Sequence, residues 1–334
     1  MYNIFMPVNV QEVKKRLTLL LKEDNLVNEY IRRFGPVIDI KNIKAIKEEK
    51  ESARNETPSA AEEKGIDPIF EITVSCPVCN YETITGYELK AKALQITENF
   101  LLQSNYKGAM GHQTVDYDRL SVIVCPRCLF ASPDKRDFTT LNKITNKMVP
   151  SQISSNTLLT LQEKIGERKA ALPGGIRAET FFKRPRSLDS AVLTYRLAAL
   201  RAKVEAFHEL PNALYKLGSY NMKIAKLLRQ KKEDEVPALQ EALDYFVECF
   251  QNSNTSSDVL EYRTLYTIVA LYLRLGEEKK GHTYIGVFDK LRTDLKAEAQ
   301  KDPSVNTTTI EKWIEKAKYL WEERERTDLF EEKN

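Results

Sequence analysis

Four of the five cysteines stand in two matched pairs, Cys76-Pro-Val-Cys79 and Cys125-Pro-Arg-Cys128, with 45 residues between the pairs. Two residues between cysteines allow both thiolates of a knuckle to face one cation. Two knuckles then supply the four sulfurs of a tetrahedral structural Zn2+ site. Proline after the first cysteine fixes φ and removes an amide, which suits a tight turn. A redox-active dithiol, an iron–sulfur cluster and disulfides are the competing readings. The shared CPxC form and the β-rich runs before each pair, IFEITVSC and LSVIVC, favour zinc. Thioredoxin-type motifs lie at strand-to-helix turns and do not come as matched pairs. No His, Asp or Glu lies inside either knuckle, so the expectation is one closed structural Zn2+ bound by Cys76, Cys79, Cys125 and Cys128, without an open position for catalysis.

Little else in the chain offers chemistry. Cys249 sits at helical spacing among Leu243, Phe246 and Phe250 and reads as a core thiol. Of the three histidines, His112 falls in a loop between the knuckles, where a surface position is the simpler reading and a ligand contact the sharper one. His208 ends a helical pattern, where it favours the C-terminal dipole, and His282 lies in a turn region. No phosphate-binding glycine loop, dinucleotide fingerprint, nucleophile elbow or HExxH motif occurs, so a non-enzymatic protein is expected. The cluster Lys183-Arg184-Pro185-Arg186 reads either as an anion or nucleic-acid contact or as a solvated approach to the next helix.

A chain of 334 residues is long enough for about two domains, and 42% hydrophobic residues exclude a wholly disordered one. No apolar run is long enough to span a membrane, and the N-terminus lacks signal-peptide features, so a cytoplasmic location is expected. Residues 1–46 carry helical spacing at Val10, Val13, Leu17, Leu20 and Leu21, and again from Leu26 to Phe34, and form a small helical arm. Residues 37–46 read as a short strand or a loop. The polar stretch 47–68 reads as a flexible linker. Residues 69–138 form the zinc module, with one helix expected over Leu89–Leu102. Residues 139–187 connect onward through a helix at Leu158–Lys169 and a Pro173-Gly174-Gly175 break. Six helical patterns fill 188–328, and the turn around Leu275-Gly276 is similar to that of tetratricopeptide (TPR) repeats. The fold class is thus mainly α with a small α+β zinc-ribbon-like module and a C-terminal TPR-like helical-repeat array.

Charge is distributed unevenly. Residues 151–235 hold 16 basic and 9 acidic side chains, whereas 236–334 hold 14 and 19. The basic region 164–232 is therefore where a polyanion would bind.

The run CPVC, then Tyr117–Val124, then CPRC followed by Leu129-Phe130-Ala131, resembles the bacterial family catalogued as domain of unknown function 2225. Arg184-Pro185-Arg186 and Ala191–Ala198 resemble its continuation, over roughly 70–290. The resemblance implies zinc binding and a TPR-like tail, and it assigns no activity. Two positions depart from the family, which has glycine after each second cysteine: here they are Asn80 and Leu129. The expected function is a zinc-binding protein whose helical domain binds another protein. The alternative is a nucleic-acid-associated module that uses the basic region.

Overall fold

The β-rich runs around the cysteine pairs fold as hairpins. In the computed structural model, which describes residues 65–142, 144–302 and 307–331 together with Leu17, Ile31 and Ile43, β1 (Ile69–Val74) pairs antiparallel with β2 (Ile84–Leu89). β3 (Leu94–Glu98) pairs with β4 (Ser104–Gly108), and β5 (Ile123–Val124) with β6 (Ala131–Ser132). β7 (Thr140–Asn142) pairs with β8 (Lys147–Val149). Each CPxC motif is thus the turn of its own hairpin, β1–β2 or β5–β6.

The hairpin β3–β4 replaces the helix expected over Leu89–Leu102. Asn99 decides the difference. Its side chain accepts a hydrogen bond from the Gln103 N–H (2.9 Å) and donates to the Phe330 carbonyl (3.0 Å), closing a turn in which Leu102 takes a left-handed φ of 55°. Asparagine competes well with helical hydrogen bonding in this way, and the turn drops Leu101 and Leu102 into the main core.

The chain divides into two compact units, Met1–Lys64 and Gly65–Asn334. In the first, Leu17 and Ile31 are helical within the two stretches where helices are expected. Ile43 is also helical, where a strand or loop is expected. The rest of the arm, and residues 47–64 of the linker, lie outside the described residues. The last four linker residues belong to the second unit: Ile66 bridges His112, and Asp67 pairs with Arg184 at 2.5 Å.

Nine helices follow among the described residues: α1 (Ser155–Glu163), α2 (Ile165–Ala170), α3 (Ala178–Phe181), α4 (Leu188–Phe207), α5 (Ala213–Gln230), α6 (Val236–Gln251), α7 (Asp258–Arg274), α8 (Glu278–Lys301) and α9 (Thr308–Glu322). Serine hydroxyls start three of them. Ser154, Ser187 and Ser257 accept from the N–H groups of Thr157, Ser190 and Leu260, a contribution of about 1 kcal/mol each. Gly276, at φ 78°, ends α7, with the Glu277 N–H returning to the Tyr272 carbonyl. α4 to α9 pack each against the next, and α9 also touches α7. Gly218 on α5 permits one close approach, since a Cβ there would lie 2.8 Å from the Phe246 ring on α6. The protein is mainly helical with a few small antiparallel strand pairs.

Candidate metal centre

The two knuckles are built alike. In the first, the Cys76 N–H donates to the Tyr81 carbonyl (2.8 Å) and the Asn80 N–H to the Cys76 carbonyl (3.0 Å). In the second, the Cys125 N–H donates to the Phe130 carbonyl (2.8 Å) and the Leu129 N–H to the Cys125 carbonyl (2.9 Å). Turning the Tyr81 and Phe130 carbonyls back to the first cysteine of each knuckle needs a left-handed residue directly after the second cysteine, and Asn80 and Leu129 both sit at φ 57°.

The four sulfurs converge. Cys76 Sγ lies 3.5 Å from Cys128 Sγ, Cys79 Sγ lies 3.5 Å from Cys125 Sγ, and all four lie within 4.8 Å of one another. All four cysteines are free thiols, whereas a disulfide bond would place sulfurs about 2 Å apart. Four thiolates about 2.3 Å from one Zn2+ stand about 3.8 Å apart at tetrahedral vertices, so the arrangement fits such an ion. Cys76, Cys125 and Cys128 are buried and Cys79 is half-buried. Contact among the sulfurs separates their proton affinities. Hydrogen bonds from Cys125 and then Cys76 hold the Cys128 thiol well below its usual range, while the Cys76 thiol is raised, first by its contact with Cys125 and then by that with Cys128. Both knuckles are hairpin turns rather than the strand-to-helix turn of a redox dithiol.

Leucine at 129 is costly in backbone terms, because a left-handed residue with a Cβ loses about 1–2 kcal/mol. The structure supplies the compensation: the Leu129 side chain is 2% exposed and lies in the main helical core. Removing a buried leucine side chain costs about 2–5 kcal/mol, more than the strain it would relieve. Leu129→Gly is therefore expected to lower stability in urea unfolding. Asn80→Gly, at an exposed position, should leave it unchanged within about 0.5 kcal/mol.

Two further residues hold the knuckles, and neither is legible as a site residue in the sequence. Gln162 Nε2 donates to the Val78 carbonyl in the first knuckle (3.1 Å). Arg168 Nε donates to the Cys128 carbonyl in the second (3.1 Å), and its Nη2 to the Leu161 carbonyl (2.8 Å). Arg168 is 1% exposed and makes no ion pair among the described residues, so it brings an uncompensated positive charge to the edge of four thiols. A tetrathiolate around a divalent ion carries two net negative charges, which this cation complements. In protein loaded with zinc, Arg168→Met should speed transfer of the ion to a chromogenic chelator by about 10–100-fold, the usual scale for groups that support metal ligands. An unchanged transfer rate would show that Arg168 serves the backbone alone.

The sequence-derived anion contact is corrected for Arg186. Its guanidinium is 5% exposed, and it donates to the carbonyls of Phe182 (2.7 Å), Arg119 (3.0 Å) and Val122 (3.0 Å). It ties the start of α4 to the segment leading into the second knuckle. Arg184 is paired with Asp67, which leaves Lys183 exposed. The basic region 164–232 likewise turns cations inward, with Arg168, Arg201 and Lys226 each 1% exposed. Arg201 pairs with Asp137 and Glu205, and Lys226 with Asp118 at 2.8 Å. With Arg186, four cations of this region are therefore held inside the fold.

Cys249 is fully buried in α6, and burial pushes its thiol up to about 11, so it remains a protonated core group. The His112 ring contacts the Ala109 carbonyl (2.9 Å), His208 Nε2 contacts Thr160 Oγ1 (3.0 Å), and His282 packs against Trp321. None of the three joins the cysteine cluster.

The class defined by this fold and site is a mainly helical protein carrying a four-cysteine cluster, set on two hairpins, that can hold a metal ion. The chain belongs to the family described as "Uncharacterized protein conserved in bacteria (DUF2225)", whose model matches residues 69–320. The match runs from β1 almost to the end of α9. No curated protein and no solved structure matches the chain.

Proposed function

We propose that this is a non-enzymatic, cytoplasmic protein in which one structural Zn2+ clamps the two knuckles and the helices α4–α9 form a TPR-like surface for another protein. The observation that carries the metal half is the convergence of four sulfurs at tetrahedral spacing. When bound, zinc supplies a fourfold cross-link, and with all four positions taken by protein sulfur no site is left for water or substrate. The module needs such a link because its own core is small. Val74, Val78, Ile84, Ile123, Phe130 and Phe138 are joined by Leu161 of α1 and Val204 of α4, with Ile153, Leu158 and Ile165 packed against them.

The interaction half is supported by the consecutive packing of α4 to α9. Stacked helix pairs make extended surfaces that accept peptides or helices. A groove of about 470 Å3 opens where α4, α5 and α6 meet, with Leu200, Ile224 and Leu228 at its base and Arg196, Lys203 and Glu241 around it. No helix among the described residues is long and apolar enough to cross a membrane. In a native pull-down with the wild-type chain as bait, the partner should be lost on Arg196→Glu/Leu200→Asp while zinc content stays unchanged. A partner set identical for both baits would refute the helical face as the docking surface.

A further inference from the structure

β1 and β7 start as neighbours and then part. Ser75 and Thr139 exchange backbone hydrogen bonds of 2.8 and 3.0 Å, and beyond that bridge the strands splay around a groove of about 600 Å3. The closed end sets the hydrogen-bonding phase. Since Ser75 turns its N–H and C=O toward β7, alternation turns those of Thr73 and Glu71 the same way, while Val74, Ile72 and Phe70 bond to β2. The bond from the Lys90 N–H to the Pro68 carbonyl (2.8 Å) confirms that phase at the other end. On β7, Thr139 faces β1, so Leu141 also aims its backbone groups into the groove, while Thr140 and Asn142 face β8. No backbone hydrogen bond closes on these groups of Glu71, Thr73 or Leu141 among the described residues.

The side chains around the groove add a chemical preference. Phe70, Leu141 and Met148 line it while 41%, 50% and 55% exposed, an unusual exposure for large apolar groups at a strand edge. Glu71, Glu82 and Glu88 lie along it as well, and among the described residues that line it the one cation is Lys135, which is held by Glu88 at 2.7 Å. Glu71 and Glu82 make no ion pair among the described residues. A second copy of the same edge would bring the same carboxylates together, and like charges facing each other across strands are destabilising. A basic segment would be drawn in.

We propose that the wedge between β1 and β7 receives an extended segment of another protein, which adds as a strand to the free edge of β1 and alternates apolar side chains with Lys or Arg. The backbone groups of Glu71, Thr73 and Leu141 give it hydrogen bonds, Phe70, Leu141 and Met148 seat its apolar side chains, and Glu71 and Glu82 take its cations. This site lies on the zinc module and is independent of the helical face.

The test uses the zinc-loaded full chain and two fluorescein-labelled peptides of about nine residues, the length of an ordinary strand, with Val alternating with Lys in one and with Glu in the other. Fluorescence polarisation should show saturable binding of the basic peptide, at least about tenfold tighter than the acidic one. Thr73→Pro removes one groove-facing N–H and leaves the β1–β2 ladder intact. It should weaken binding about tenfold at unchanged zinc content and circular dichroism. Glu71→Lys/Glu82→Lys should reverse the preference between the peptides. If Thr73→Pro does not fold, Leu141→Lys, at an exposed side chain, should produce the loss instead, since it removes an apolar seat and sets a like charge against the basic peptide. Absence of saturable binding of the basic peptide, equal binding of both peptides, or indifference to these substitutions would overturn the proposal.

Discussion

Serine at both Cys76 and Cys125 will reduce bound zinc from one ion per chain to a background level and release the two hairpins from each other. The pair takes one sulfur from each knuckle, so neither can retain a closed site. In isolated zinc peptides the coupling of metal binding to folding is worth about 10–16 kcal/mol, comparable with the whole stability of a typical domain. The loss here should be regional. Leu161 and Val204 anchor the module's core to α1 and α4, and the large core of α4–α9, which also holds Leu129 and Ala131 of the second hairpin, does not include Cys76, Cys79, Cys125 or Cys128. Elemental analysis of freshly reduced protein, with far-UV circular dichroism of wild type and variant, checks both parts. Helical signal should survive the double substitution, with an added low-temperature unfolding step. Metal-free wild type that melts together with the variant would refute the metal centre.

Asp118→Asn should destabilise the protein by about 3–5 kcal/mol, the usual cost of breaking a buried ion pair from one side. Asp118 is 2% exposed and accepts from Lys223 (2.7 Å), Lys226 (2.8 Å) and the Tyr106 hydroxyl (2.8 Å), so it joins the segment before the second knuckle to α5. Burial by itself raises its carboxyl, but the charges and hydrogen bonds of Lys223 and Lys226 outweigh that and hold it below the ordinary value of 3.8. A folded value below the unfolded one gives stability that is fully present above about pH 3.8 and is lost as pH falls through the folded value. Urea unfolding at neutral pH should therefore separate wild type from variant widely, and the gap should narrow as the medium is acidified below that pH. A constant gap across this range would mean that Asp118 acts through packing rather than charge.

The contrast between Arg168 and the cysteines shows what a linear pattern carries. Cysteine spacing reports a metal site because both ligands of a knuckle are near neighbours in the chain, and their geometry is local. Arg168 lies 40 residues from Cys128, in a short helix whose sequence, IGERKA, looks like any solvated surface. Its role exists only because α2 folds back over the second knuckle. Arg186 fails in the opposite direction. A cluster of cations suggests a polyanion site, but burial against three carbonyls cannot be seen without the neighbouring chain segments.

The helices followed the same rule of range. α4, α5, α6, α7, α8 and α9 were legible because a 3.6-residue apolar period and the turn at Leu275-Gly276 are local signals of large summed effect. The stretch Leu89–Leu102 carries a comparable apolar density, yet there an asparagine turn tied to Phe330 and a pairing with residues 104–108 prevailed. By itself, then, the sequence determined the four-cysteine cluster, the helical class and the knuckle turns, since each depends on residues a few positions apart. Tertiary structure alone decided which charges are buried and paired, why leucine is tolerated at a left-handed position, and which strand edge has no backbone partner among the described residues, because burial and long-range hydrogen bonds arise only when distant segments meet.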